Sequence, residues 1–207
     1  MLNALRPAIT RIADVPAERL LKAGVSPDAV TLAGTVGVVA GALALLARGH
    51  FFAGAIVITL FVLTDMLDGA MARKRQAQGH RLSVFGGWLD STSDRVADGA
   101  VFGALVWWFS GAGDNRLLAG VALFSLVAGS VVSYAKARAE GLGLTANVGL
   151  MERAERLVLT LVAVGLVGIG APDIILTVAL WVLAAATAVT VVQRGLEVRR
   201  QAHLAAG

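Results

Sequence analysis

The chain has 207 residues, 57% of them hydrophobic and 15% charged, with a mean hydropathy of +0.76 and a net charge of +4. That balance excludes an ordinary soluble domain and points to an integral membrane protein. There is no Cys, which removes disulfides, thiolate nucleophiles and thiolate metal sites, and the basic residues flank apolar runs, so the charge favours anionic lipid over nucleic acid as a neighbour.

In chain order, residues 1–24 hold no apolar run long enough for a signal-peptide core, so the N terminus is expected to be retained. Ile9, Ile12, Leu20 and Leu21 are interleaved with Arg11, Arg19 and Lys22, which predicts an amphipathic helix lying in the membrane interface; an ordinary soluble-type helix is the alternative. Apolar runs follow at about 30–47, 51–72, 90–110, 116–138, 154–170 and 173–193, each near the roughly 20 residues that a crossing helix needs. The expected fold is all-α: one membrane domain with six transmembrane helices over about 28–193 and a tail over 194–207. Gly34, Gly37 and Gly41 in the first span, and Gly99 and Gly103 in the third, have the spacing that lets helices pack closely within the bundle.

Fifteen Lys and Arg fall on the side of the N-terminal segment, the 73–89 link, the 139–153 link and the tail. Only Arg48 and Arg116 lie opposite, and Arg95 sits inside a helix. The positive-inside rule then puts both termini and the acid-rich end in the cytoplasm, with the chain in the plasma membrane. Trp107 and Trp108 fall where an outer aromatic belt anchors a helix. His50, His80 and His203 are isolated and suggest no ligand set. No Walker loop, Gly-x-Ser-x-Gly or His-Glu-x-x-His is present, so ATPase, serine-hydrolase and zincin chemistry lack support.

The acids carry the chemistry. Asp65 and Asp68 are three residues apart and Asp90 and Asp94 four apart, so each pair projects from one helix face. Carboxylates at membrane depth need an offsetting interaction, and oxygen ligands without Cys or clustered His suit Mg²⁺ or Mn²⁺. Gly69 allows a ligand to approach the backbone, and Arg73 lies one turn further on with donors for a phosphate. Solvated helix-end acids paired with Arg73 and Arg95 are the competing reading. Asp98 continues the Asp90, Asp94 stripe and is expected to pair helices rather than bind metal.

The segment Asp65-x2-Asp68-Gly69-x2-Ala72-Arg73, followed by Gly86-x3-Asp90-x3-Asp94, resembles the signature of the CDP-alcohol phosphatidyltransferase family. Lys74 through Phe85 make that gap longer than the family's usual spacing by about one helical turn. The resemblance implies a homodimer in which a hydroxyl attacks a CDP-linked lipid and CMP leaves. It implies that Asp65, Asp68 and Asp90 hold two Mg²⁺ ions, and that Asp94 shares one and is the general base. Asp28, Ala29, Val30, Thr31, Gly69, Arg73 and Ser83 would contact CDP-diacylglycerol; alone, Ser26 to Thr31 reads as a helix cap and first turn.

Lys136, Arg138, Arg153, Arg156 and Arg194 converge on the same end, which suggests a pocket for an anionic acceptor; flanking charge explains each one singly. The strings Ser133 to Glu140 and Met151 to Arg156 resemble the actinobacterial branch of the family whose acceptor is 1D-myo-inositol 3-phosphate. That branch implies these five side chains at the acceptor phosphate, with Glu152 and Glu155 holding the arginines. Glycerol 3-phosphate is the competing acceptor, and a membrane cation transporter is the competing class.

Overall fold

The computed structural model describes residues 6–79, 81 and 83–206, with side chains from 14 to 204 within those bounds. Among the described residues every regular element is helical: α1 (Arg6–Lys22), α2 (Pro27–Ala44), α3 (Phe51–Val62), α4 (Thr64–Ala77), α5 (Val84–Ser110), α6 (Arg116–Glu140), α7 (Arg153–Gly168) and α8 (Ile174–Ala206). A short 3₁₀ turn, Leu46–Arg48, joins α2 to α3. His80 and the side chains of Ile9, Arg11 and Ile12 lie outside the described residues.

Local chemistry starts the helices where the site needs them. Ser26 caps α2, its Oγ accepting from the Ala29 N–H at 3.2 Å, with Pro27 at the first helical position. Ser83 caps α5 by accepting from the Gly86 N–H at 2.9 Å, and Asn115 caps α6 through the Leu118 N–H at 3.0 Å. The run expected as one helix over 51–72 is interrupted at Leu63. There the Thr64 hydroxyl donates back to the Phe61 carbonyl at 2.6 Å, a side-chain bond that competes with the helix ladder and bends it.

Lipid tails are as apolar as the side chains, so packing rather than water exclusion holds the bundle together. Leu46, Ile58, Val101, Phe102, Leu105, Val164, Leu180 and Leu183 form its fully buried centre. The glycine spacing of α2 does pack inside the bundle. A Cβ on Gly34 would strike the Thr64 hydroxyl, and one on Gly37 the Phe61 ring, so these glycines let α2 lie against the α3–α4 break. Gly99 and Gly103 differ from that expectation, since a Cβ at either meets nothing within 4 Å.

α1 docks on α4. Ala17 is fully buried with Val30, Ala70 and Met71, Leu20 and Leu21 pack beside them, and Glu18 reaches Lys74 at 3.6 Å. Lys22 holds the exposed Glu18 carboxyl below its usual range by hydrogen bond and charge. At the opposite end, Trp107 is 73% exposed, whereas Trp108 turns inward, edge-on to Phe51 at 5.5 Å, over Gly49 and Gly113. Residues 194–206, expected as a tail, continue α8.

Among the described residues, four helical runs are long and apolar enough to cross a membrane: Pro27–Arg48, Phe51–Ala77, Arg116–Glu140 and Ile174–Leu204. α5 carries Asp90, Asp94, Arg95 and Asp98 up to its midpoint, and the 16 residues of α7 rise only about 24 Å. These two helices are the ones that share the buried charges described below.

Gly37→Ala is expected to lower the thermal unfolding midpoint of the purified protein in detergent, through an overpacking loss of about 1–3 kcal/mol. Gly99→Ala, with open space beyond its Cβ, should leave the midpoint unchanged or raise it.

Candidate active site

Two cavities flank the acids. One, of about 520 Å³, is lined by the start of α2 (Pro27, Asp28, Thr31), by Asp65, Asp68, Gly69 and Ala72 of α4, and by Ser83, Gly86, Gly87 and Asp90 around the start of α5. Arg75 and Arg81 complete its wall. Asp68 is only 6% exposed and accepts from the Thr31 hydroxyl at 2.5 Å, which ties the first turn of α2 to the acidic face of α4. A Cβ on Gly86 would lie 3.1 Å from Asp28 Oδ1, so the glycine lets α5 start beside Asp28.

Not every expected nucleotide contact lines this cavity. Ala29 is exposed and gives its N–H to the Ser26 cap, and Val30 is buried against Ala17, Ala70 and Met71. Arg73 is exposed and folds back toward Gly69, where a Cβ would meet its Nη1 at 3.3 Å. Arg75 and Arg81 were missed by the sequence reading. Arg75 was within reach of it, since Asp68, Ala72 and Arg75 follow the i, i+4, i+7 stripe of one helix face.

The second cavity, of about 820 Å³, is lined by Asp94 and Arg95 of α5, Ser133, Tyr134 and Lys136 of α6, Glu152, Arg153 and Arg156 at the start of α7, and Arg194 of α8. Four of the five expected acceptor residues are thus brought together, while Arg138 is exposed and lies off this wall. Arg95, Ser133 and Tyr134 were not anticipated here. Arg95 donates to the Ser133 hydroxyl, a contact between helices that no local sequence pattern reveals.

Burial makes the arginines unusual. Arg156 is 1% exposed; its Nη2 donates to Asp98 Oδ2 at 3.1 Å, while its Nη1 has no partner among the described residues. Gly129 makes room for it, since a Cβ there would come within 3.0 Å of Arg156 Nε. Arg194, 3% exposed, donates to the carbonyls of Val148 at 2.9 Å and Val132 at 2.6 Å, and Glu152 stands 3.7 Å away. Glu155 caps α7 instead of holding an arginine: it accepts from the Glu152 N–H at 3.2 Å.

Arg153 sits between the two cavities. Its Nη1 lies 3.0 Å from Asp65 Oδ2 and 2.6 Å from Asp94 Oδ1, and its Nε donates to Asp98 Oδ1 at 3.2 Å. Asp98 also pairs with Arg95 at 3.7 Å, so it is the helix-pairing acid the sequence suggested. Among the described residues no three acids form a ready-made metal cage, yet Asp65, Asp68 and Asp90 line one cavity, and Asp94 shares one nitrogen of Arg153 with Asp65. The guanidinium bridging Asp65 and Asp94 marks a point where a cation is accommodated. An all-oxygen donor set around such a point fits a hard divalent ion.

The family model for CDP-alcohol phosphatidyltransferases matches residues 24–192. A phosphatidylinositol phosphate synthase from Streptomyces avermitilis is 52% identical over 208 aligned residues, covering 97% of this chain and 84% of that protein. One from Mycolicibacterium smegmatis is 47% identical, covering 94% and 86%. The crystal structure of Mycobacterium tuberculosis phosphatidylinositol phosphate synthase with CDP-DAG bound superposes with a TM-score of 0.85 at 46% identity, covering 91% of this chain and 94% of that one. The same enzyme in complex with manganese and citrate gives 0.84 at 45% identity, covering 90% and 88%.

Asp98→Ala strands Arg156 as an unpaired buried charge, so a stability loss of about 3 kcal/mol is expected in detergent unfolding. Arg200→Ala, which breaks an exposed pair with Glu197, should have a much smaller effect on the same measurement.

Proposed function

The chain belongs to the CDP-alcohol phosphatidyltransferase family, and we propose that it transfers the phosphatidyl group of CDP-diacylglycerol to 1D-myo-inositol 3-phosphate, giving phosphatidylinositol phosphate and CMP. The observation that carries this reading is a pair of neighbouring cavities bridged by Arg153, which pairs with Asp65 of one and Asp94 of the other, one walled by carboxylates and helix starts and the other by buried guanidinium groups.

The smaller cavity takes the CDP end of the lipid. The N-terminal ends of α2 and α5 line it, so their helix dipoles favour a diphosphate there, with Arg75 and Arg81 adding positive charge. Asp65, Asp68, Asp90 and Asp94 hold divalent metal, two Mg²⁺ ions with Mn²⁺ as a substitute. Bound there, metal neutralises the diphosphate and the departing phosphate of CMP. The larger cavity takes the acceptor, whose phosphate meets Lys136, Arg156 and Arg194; the unpartnered Nη1 of buried Arg156 is the strongest single argument for an anion there.

The acceptor hydroxyl attacks the phosphorus that carries the diacylglycerol. The bond from that phosphorus to the bridging oxygen breaks, CMP leaves with that oxygen, and Asp94 takes the hydroxyl proton. Asp94 suits this role because it alone of the four acids lines the acceptor cavity. The chain crosses the plasma membrane six times as a homodimer, with α5 and α7 crossing as a charge-compensated pair and the basic, acid-rich end in the cytoplasm. α1 lies along that interface while packed on α4.

The test is CMP release by purified protein given CDP-diacylglycerol and, separately, inositol phosphate, inositol or glycerol 3-phosphate. Turnover with inositol phosphate is expected, and turnover with glycerol 3-phosphate alone would refute the acceptor. Asp94→Asn should lower kcat about 10²–10⁴-fold while CDP-diacylglycerol still binds; undiminished turnover removes Asp94 as the base. Arg156→Ala should raise the KM for inositol phosphate roughly ten- to a hundredfold with little change in that for CDP-diacylglycerol, the value of a lost charge-assisted hydrogen bond.

A further inference from the structure

We infer that Arg153 is a coupling residue, released from Asp65 and Asp94 when these acids take divalent metal and then available to the acceptor's phosphate, so that metal and acceptor bind cooperatively. This inference rests on the proposed roles of the acids and of the larger cavity.

The geometry of the guanidinium is the reason. One nitrogen, Nη1, makes both contacts to the metal acids, at 3.0 Å to Asp65 and 2.6 Å to Asp94. A different nitrogen, Nε, is held by Asp98 at 3.2 Å, and Asp98 is not among those acids. The side chain therefore has a tether that metal does not contest and a mobile end that it does. Asp98 is 5% exposed and its other oxygen is held by Arg156, so the tether is itself fixed.

A divalent cation and the guanidinium compete for the same two carboxylates, because Nη1 occupies the space between their oxygens and carries charge of the same sign as the cation. Once Nη1 is displaced, it stays on the wall of the cavity that holds Lys136, Arg156 and Arg194. Arg153 is also the first residue of α7, where the helix dipole already favours an anion and disfavours a nearby cation. An acceptor phosphate would hold Arg153 on that side and leave Asp65 and Asp94 to metal. Linkage requires the converse: metal tightens the acceptor by the same factor as the acceptor tightens metal.

The experiment measures Mn²⁺ affinity of the full-length protein in detergent, with and without inositol phosphate, correcting for metal bound by inositol phosphate in buffer. In the unsubstituted protein the acceptor should tighten Mn²⁺. In Arg153→Gln, Mn²⁺ alone should bind about tenfold tighter, the value of one lost competing charge-assisted bond, and the effect of inositol phosphate should vanish. Arg48→Gln, which changes net charge equally at the opposite end, should keep the original behaviour. Should Arg153→Gln fold poorly without metal, its thermal midpoint must rise more on adding Mn²⁺ than that of the unsubstituted protein. Coupling that persists in Arg153→Gln, or an equal midpoint rise, overturns the inference and leaves the metal assignment standing. If Asp65→Asn and Asp94→Asn bind Mn²⁺ undiminished, the metal assignment fails and the inference with it.

Discussion

A single buried carboxylate organises the polar end of this bundle. Asp98 holds Arg95, Arg153 and Arg156 at once, and each of those arginines then faces a different neighbour: Ser133 of α6, the acids Asp65 and Asp94, and the larger cavity. Charges of this kind inside a bundle are tolerable only when paired. The pairing joins α5 to α7, and through Arg153 it reaches α4, so three helices are locked in register by hydrogen bonds rather than by shape alone.

This explains why the two helices least suited to lipid by length and composition are neighbours in charge. α5 brings acids and α7 brings arginines, and both ends of α7's first turn are neutralised before lipid is met. Elsewhere the bundle uses the opposite device. The glycines of α2 remove side chains so that α2 can lie against the α3–α4 break, which sets Asp65 and Asp68 at the start of α4. Close packing on one side and ion pairing on the other thus fix the two walls of the site, and Arg153 joins them through Asp65.

Much of this was legible in the sequence. Hydropathy located the helices, because a crossing helix must be apolar over a fixed length, and spacing drew attention to Asp65, Asp68, Asp90 and Asp94, of which the first three line one cavity and Asp94 the other. The interruption at Leu63 was not legible, since it depends on how one Thr hydroxyl is directed. Nor was the inward turn of Trp108, which follows from space left by Gly49 and Gly113. Arg95 and Ser133 are 38 residues apart and meet only through helix packing. Asp98 was legible in kind, as a pairing acid, but its three partners come from two helices whose relative rotation no periodicity encodes.

The segment from 141 to 152 is stitched to α8 along its length. Gln201 meets Thr145, Arg194 takes the Val148 carbonyl, Gln193 takes the Leu150 N–H, and Thr190 takes the Met151 N–H. Since α8 follows every other wall of the site in chain order, a growing polypeptide completes the smaller cavity once α5 has emerged. It cannot settle the larger one until α8 is made. The order of synthesis therefore separates the two halves of the site, and the half walled by buried arginines is assembled last.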